Sequence, residues 1–559
     1  MGKELLDIAV IGSGPGGMSA AAHAAELGIS HVLLEGSPKH SNTIQKYQKG
    51  KHVMDTPGKL PLRSPLEFTA GTREFILDKW EEGLTAVKTN IRYNAEVKSI
   101  EGSKGDFTVT LTNGEEISAK FIILGIGVQG NPRKLPCPGA EFEHVQYQLD
   151  DPDEYENERI AIVGAGDAAI ENAVGLAKQN KVCIINRRDE FARAKQGNLD
   201  LIISYIEDAK IECHYESNPA RIEENPSDES RYIFYLSTPT GETPVPVDRI
   251  IARLGAIPPR KLVESFGIEF PSDSPAALPE LSSQYESNVP GMYVIGALGG
   301  YPLIKQAMNQ GYEVVEYIQG NDIEPADHPL LEEAFKGLPY DKNVNEILEY
   351  LQQSSPIYQD INPLTFREFI LDSKVRACSR GERLCVQGEF TDTFFVVVDG
   401  NAYVKLPGVG EFHFNRGGFF GEQSLISGRR RTATVYAGDN CVVVETPRRT
   451  MVKLQNSVEA VKRTLDEAFI LRAVHSKFTP NTPHSELMDI VHKTELRLFN
   501  ANENIYSQGE KGDEVHLIRL GSVSTIKQSD DQEIITSYMP VGQFFGASGA
   551  MGDGIRNNT

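Results

Sequence analysis

Short apolar runs that stop at glycine punctuate the first 325 residues of the chain. Asp7-Ile8-Ala9-Val10-Ile11 reads as a buried parallel strand, because it is apolar throughout rather than alternating. Gly12-Ser13-Gly14-Pro15-Gly16-Gly17 then turns tightly into Met18-Ser19-Ala20-Ala21-Ala22, an alanine-rich start of a helix. A second apolar run, His31-Val32-Leu33-Leu34, ends on the acidic Glu35. The pattern returns at Arg159-Ile160-Ala161-Ile162-Val163, where Gly164-Ala165-Gly166-Asp167-Ala168-Ala169 opens another helix. Here the following strand, Val182-Cys183-Ile184-Ile185, ends on Asn186-Arg187-Arg188. Beyond Ile323-Glu324-Pro325 the pattern changes. Asp327 to Lys336 is acidic and amphipathic, and Asn343 to Leu351 carries apolar residues at helical spacing. Short alternating strands between glycine turns occupy the remainder, which predicts small β-barrels.

The two glycine turns share one chemistry and differ in a second. Strand, tight turn and helix N-terminus bring backbone N–H groups against a pyrophosphate, the pattern of a dinucleotide site. Glu35 stands where a carboxylate hydrogen-bonds a ribose hydroxyl. The second copy has Arg187 and Arg188 there, with Arg193 nearby. A carboxylate would repel a 2′-phosphate, whereas guanidinium forks bind one, so NADPH is favoured over NADH.

Gly164 to Ala173 followed by Arg187-Arg188-Asp189 resembles the NADPH domain of thioredoxin reductases, and Lys305-Gln306-Ala307 resembles the Arg-Gln-Ala that meets flavin in that family. The resemblance covers roughly residues 1 to 325. It implies an α/β flavoprotein with two dinucleotide-binding domains: a discontinuous FAD domain (1–155 and 259–325) interrupted by an NADPH domain (156–258). Phe121 to Gly127 and Ile250 to Gly255 look like the short strands ending in glycine that close such domains, and Met292 to Gly296 like the final strand under the flavin. The implied FAD contacts are Gly12, Gly14, Gly17, Glu35, Gly127, Gly296, Lys305, Gln306 and Ala307. The implied NADPH contacts are Gly164, Gly166, Ala169, Arg187, Arg188 and Arg193. Ala297 departs from the family, which places an aspartate there.

A larger departure lies in the cysteines. Thioredoxin reductases carry a Cys-x-x-Cys in the NADPH domain, whereas Cys137, Cys183, Cys213, Cys378, Cys385 and Cys441 include no pair at that spacing. Cys137 sits in a proline-flanked loop as a candidate relay against a plain loop thiol, and Cys183 reads as core. Catalytic residues are otherwise not legible, and electrons are expected to leave the flavin directly. Dithiol-less branches of the family include ferredoxin–NADP reductases and bacillithiol disulfide reductases. Phe191 to Asn198 is most similar to the second branch, although Gly16 stands where that branch has a cysteine.

The 559 residues suffice for several domains, and a net charge of −22 without a basic stripe argues against a nucleic-acid or anionic-membrane partner. No apolar run approaches the roughly 20 residues of a membrane span, and the first strand begins too early for a signal peptide. Few, scattered cysteines fit a reducing compartment, so a cytoplasmic location is expected; separately, no metal site and a homodimer are expected.

After a helical linker (326–363) comes an internal repeat. Gln387-Gly388-Glu389, Asp392 and Gly400 recur as Gln508-Gly509-Glu510, Asp513 and Gly521, and Phe419-Phe420-Gly421 recurs as Phe544-Phe545-Gly546. Phe419 to Val435 is similar to the phosphate-binding cassette of cyclic nucleotide-binding domains. In that cassette Gly421 allows a turn into a helix whose amides face the cyclic phosphate, Glu422 accepts from the ribose 2′-hydroxyl, and Arg431 pairs with phosphate oxygens. Gln423, Ser424, Thr432 and Ala433 complete the candidate site, and Thr432 leaves cyclic AMP and cyclic GMP both open. One complete barrel (364–480) and a degenerate, incomplete one (481–559) are expected. The second keeps Arg556 but has Ala547 in place of the acid, and the chain ends inside its cassette, as a fragment would.

Two functions fit. One is a cyclic-nucleotide-regulated enzyme moving hydride from NADPH to FAD, then electrons to a disulfide or to a small-molecule or redox-protein acceptor. The other is a redox and cyclic nucleotide sensor with little turnover. A transcription factor is disfavoured, since no basic recognition helix is apparent.

Overall fold

The structure is a computed structural model. It describes residues 5–559 apart from 192–193, 228, 276, 390–392, 407–409, 423–430, 432, 480–481, 500–502, 530–531, 551 and 553. The chain divides into two compact units, one formed by residues 1–331 with 362–364, the other by 332–361 with 365–559.

The first unit is built on two sheets. Strand β1 (Leu5–Ile11) leads through the first glycine turn into helix α1 (Pro15–Glu26) and then β2 (His31–Leu34). β1 lies between β2 and β3 (Glu116–Leu124), parallel to both, with Ile8 opposite His31 and Phe121. Strands Asp106–Leu111 and Val97–Ser103 extend this seven-stranded sheet antiparallel beyond β3. The interruption follows: β4 (Arg159–Val163), helix α2 (Asp167–Leu176), β5 (Lys181–Ile185) and β6 (Arg249–Ala252) belong to a separate five-stranded parallel sheet. The chain then returns, and β7 (Met292–Val294) pairs parallel with β3, Met292 opposite Ile122. The two crossings run side by side, since Asn131–Pro132 pairs antiparallel with Ala256–Ile257.

Helix α1 is buried almost all round, which explains its run of small residues. Helix α3 (Ile304–Ile318) packs so closely on it that a Cβ at Gly311 would lie 2.1 Å from the Gly16 carbonyl oxygen and 2.8 Å from the Ala20 nitrogen. On the sheet side, a Cβ at Gly17 would come within 1.9 Å of the Gly12 carbonyl oxygen. Gly12 itself has φ +94°, a conformation open at little cost only to glycine.

In the second unit two four-stranded antiparallel sheets form a β-roll. One contains β8 (Lys374–Ala377), β10 (Val442–Pro447) and β9 (Thr393–Asp399) in that spatial order, closed by Phe419–Phe420. The other joins Arg383–Cys385, Val435–Ala437, Asn401–Leu406 and Gly410–Asn415. Of the segment read as a linker, residues 332–361 fold with this unit. Helix α4 (Val344–Gln353) opens on a capping box between Asn343 and Glu346, and the hydroxyls of Tyr340 and Tyr350 both donate to the Asp399 carboxylate, at 2.5 and 2.7 Å. Helix α5 (Glu459–Lys477) follows the roll. The second repeat contributes two two-stranded sheets.

Candidate functional site

At the first glycine turn the carboxylate of Glu35 is already held. One oxygen accepts from the Ser13 backbone N–H at 3.0 Å and the Ser13 hydroxyl at 2.5 Å, and the other accepts from the Ser37 N–H at 2.8 Å. The acid is thereby fixed at the C-terminal end of β2, beside the mouth of the turn. Gly14 is the N-cap of α1 and Pro15 its first residue, so the amides of that end have no side-chain cap.

The other wall comes from the returning segment. Gly296, with φ +68°, donates its N–H to Gln310 Oε1 at 2.7 Å. Ala297 and its neighbours form a single 3-10 turn with no acidic side chain. Lys305 is buried and paired with Asp55 at 2.5 Å. Gln306 keeps a buried Oε1 without a hydrogen-bond partner. Ala307 is buried, and its carbonyl closes on Gly16: a Cβ there would sit 2.9 Å from the Ala307 oxygen and 3.1 Å from Ile295. Gly127 has φ +63° and open space around it. This arrangement fits FAD on its own terms: glycines a Cβ would clash with, free helix-terminal amides, a fixed carboxylate and an orphaned amide oxygen.

The second turn repeats the backbone and changes the side chains. Gly164 has φ +131°, and a Cβ would meet the Arg253 carbonyl oxygen at 2.5 Å. Gly166 caps α2 and is open to solvent space, while Ala169 is buried in the helix. Arg187 and Arg188 are exposed at the end of β5, where Asn186 Oδ1 accepts the Arg188 backbone N–H at 3.0 Å. Arg193 lies outside the described residues. Asp167 accepts from the Lys195 N–H at 2.9 Å and Asn198 Nδ2 at 2.8 Å, which ties the following loop to the helix start. Sequence reasoning missed Arg253. It donates to the Tyr147 carbonyl at 2.9 Å and has a buried Nε without a partner, and burial holds its pKa below the usual guanidinium range.

No thiol of this unit is poised as a thiolate. Burial, with Glu141 adding to it, raises the Cys137 pKa, and burial pushes those of Cys183 and Cys213 up to about 12. Cys137 packs against an apolar cluster and Cys183 is buried within β5. Among the described residues no group of His, Cys, Asp and Glu is placed to hold a metal ion.

In the second unit two backbone hydrogen bonds recur in the two repeats. Gly388 N–H donates to the Arg431 carbonyl and Arg431 N–H to the Glu389 carbonyl, both at 2.9 Å; Gly509, Arg556 and Glu510 do the same at 2.8 Å. Arg431 donates through its guanidinium to the Thr393 carbonyl and lies against Gly421, where a Cβ would be 2.6 Å from Nη1. Arg556 lies against Gly546 in the same way, at 2.7 Å. Glu422 is buried and pairs at 2.5 Å with Arg472 of α5, which also donates to the Phe419 carbonyl at 2.6 Å. In the second repeat Ala547 leaves no such carboxylate. Ala433 accepts from the Cys385 thiol at 3.8 Å. Gln423, Ser424 and Thr432 lie outside the described residues. Arg472 and Asp55 had no legible signal, because each is an isolated charge far along the chain from its partner.

Comparison with known proteins agrees with this geometry. Residues 9–296 match the family model of the pyridine nucleotide-disulphide oxidoreductases, and residues 375–457 that of the cyclic nucleotide-binding domain. The ferredoxin–NADP reductase of Leuconostoc citreum is 27% identical over 314 residues, 54% of this chain and 86% of that protein. That of Ignicoccus hospitalis is 27% identical over 310 residues, 55% of this chain and 94% of that protein. The structure of bacillithiol disulfide reductase from Staphylococcus aureus superposes with a TM-score of 0.51 at 19% identity, over 57% of this chain and 99% of that one, a likeness of fold. With its two glycine turns, its seven-stranded and five-stranded sheets and a family match over more than half its length, the chain belongs to the pyridine nucleotide-disulphide oxidoreductases, as an FAD-dependent NAD(P)H oxidoreductase followed by a cyclic nucleotide-binding domain.

Proposed function

We propose that the first unit oxidises NADPH and delivers the electrons directly to an external acceptor, under control of a cyclic nucleotide bound by the first roll. The observation that carries the reading is the contrast between the two turns: a fixed carboxylate at Glu35 and two exposed guanidiniums at Arg187 and Arg188. Bound FAD supplies the two-electron store that takes hydride from the nicotinamide. The glycine turn and α1 amides would hold its pyrophosphate, Glu35 its ribose hydroxyls, and Gln306 would find there the partner its Oε1 lacks. Gly164, Gly166 and Ala169 would admit the NADPH pyrophosphate, with the arginines on its 2′-phosphate.

Direct delivery follows from sulfur chemistry. Cys137 and Cys183 have raised pKa values, and Gly16 leaves no room for a side chain beside Ala307. A one-electron redox protein of the ferredoxin type is the favoured acceptor, since it needs no thiol relay and relatives carry that name. The division into 1–155 with 259–325, 156–258, a 364–480 barrel and a 481–559 partial barrel belongs to the same proposal. In the first barrel Gly421, Glu422, Arg431 and Ala433 would line the nucleotide site, with Gln423, Ser424 and Thr432.

The test is an acceptor screen on the purified yellow protein, with NADPH and either ferredoxin, a low-molecular-weight disulfide or a quinone. Turnover with ferredoxin that survives Cys137→Ser is expected. Turnover with the disulfide alone, abolished by Cys137→Ser, would replace direct transfer by a thiol relay. Flavin reduction without turnover on any acceptor would favour a sensor.

A further inference from the structure

Two cysteines far apart in sequence stand opposite one another in the β-roll. Cys378 follows β8 and Cys441 precedes β10, and the antiparallel register that pairs Ala377 with Val442 continues through a Cys378 N–H to Cys441 carbonyl bond of 2.8 Å. Directly opposed residues in such a ladder have Cα atoms about 4.5–5.5 Å apart, inside the range that a disulfide spans. The Cys378 thiol donates to the Arg376 carbonyl at 3.8 Å, and the two thiols lie close enough for each to shift the other's ionisation. Both sulfurs are free.

We propose that Cys378 and Cys441 form a thiol–disulfide exchange site that takes a small disulfide as its oxidant and closes an internal disulfide between β8 and β10. The surroundings divide the roles. Cys441 is buried in the apolar cluster with Val397, Ala437 and Val443, whereas Cys378 is half-buried at its edge and can be reached. The two thiols are unequal: the Cys441 sulfur and burial raise the Cys378 pKa, so the pair ionises first at Cys441. The Cys378 thiol and the Gly438 N–H hold the Cys441 pKa below its ordinary value, and the Arg376 guanidinium adds to this although it is shared with Glu382 and Glu445.

The exchange balances without a further reactant. Cys441 first gives up its proton to water; the Cys378 proton then passes to the Cys441 sulfur, and the Cys378 thiolate attacks the external S–S bond, which breaks and releases one thiolate that takes up the proton from water. Cys441 sulfur then attacks the mixed disulfide at Cys378, releases the second thiolate and gives up its proton to it. Two protein thiols lose two electrons, and one small disulfide is reduced to two thiols. The bond would clamp β8 to β10, the strand that leads out of the roll toward α5.

The full chain is incubated with oxidised glutathione, quenched by alkylation, digested and mapped by mass spectrometry. A Cys378–Cys441 cross-linked peptide is expected, with the other four cysteines alkylated. Cys441→Ser should trap glutathione on Cys378, and Cys378→Ser should leave Cys441 free of glutathione. Circular dichroism of both variants checks that the roll remains folded. Both cysteines recovered alkylated in the wild-type chain, or glutathione stable on Cys378 while Cys441 is intact, would overturn the proposal.

Discussion

Single side chains carry two of the sharpest consequences. Arg188 is exposed, so its removal costs the fold little and reads out in binding. Losing a charge-assisted contact to phosphate costs about 1.5–3 kcal/mol. Arg188→Ala should therefore raise the Michaelis constant for NADPH roughly ten- to a hundredfold and leave that for NADH nearly unchanged; equal effects would show that the 2′-phosphate is read elsewhere. Glu313 on α3 is different in kind. It is buried, accepts the Ala326 N–H at 2.6 Å and the Tyr285 hydroxyl at 2.8 Å, and burial lifts its pKa to about 7. The native state thus keeps a proton that the unfolded chain releases above its ordinary carboxyl pKa. Stability contributed there is present at low pH and declines as pH rises through that interval to about 7, by about 3 kcal/mol at most. Denaturant titrations of the first unit at pH 5 and pH 8 should show this loss in the wild type and a smaller one in Glu313→Gln; equal pH dependence would remove Glu313 as its source.

The packing of helices on strands sets the next scale. Gly311→Ala would drive a methyl group into the Gly16 carbonyl and Ala20 amide, both backbone atoms that cannot step aside. Overpacking of this sort costs typically 1–3 kcal/mol, and the displacement falls on the glycine turn. The variant should lose bound FAD and melt lower, while Gly130→Ala, with open space around it, serves as the control; retained flavin absorbance at unchanged melting temperature would mean that α1 and α3 have room to part. The strands around both turns were legible because apolar runs ending at glycine leave little choice of element, and β1, β2, β4, β5 and β7 fall where those runs lie. Asp55 beside Lys305, Gln310 beneath Gly296 and Arg472 on Glu422 were not legible. Each pair is made by tertiary approach, and Asp55, Gln310 and Arg472 look in sequence like any surface polar residue.

At the scale of the whole molecule, two units with separate ligands pose a question of coupling. Glu422 and Arg431 are both in place in the first roll, whereas the second repeat keeps only Arg556. Calorimetry should saturate near one cyclic nucleotide per chain, and Arg431→Ala should abolish most of the affinity; two equivalent sites would contradict the role given to Glu422. If occupancy of the roll alters NADPH affinity, typically about 5- to 150-fold, NADPH must alter nucleotide affinity by the same factor. Titrating each ligand with and without the other measures both sides of that identity, and independence of the two would leave the roll as a docking module. The repeat itself was legible from recurring glycines. That residues 332–361 fold with the roll was not, because the Tyr340 and Tyr350 contacts to Asp399 span 59 and 49 residues.

The interrupted sheet has a consequence for synthesis. β3 leaves the ribosome with part of one edge, Ile122 to Leu124 beyond its pairing with Phe107 to Thr110, waiting for β7 about 170 residues downstream. At about 5–20 residues per second that edge stays open for roughly 10 to 35 s, long enough for a nascent chain to meet a neighbour's exposed strand. The inserted sheet, complete once β6 has emerged, can fold during that wait and keep the two crossings together at Asn131–Pro132 and Ala256–Ile257. Yield of folded protein from a cell should therefore depend on translation speed and on chaperones that shield strand edges, more than on the equilibrium stability of the finished molecule.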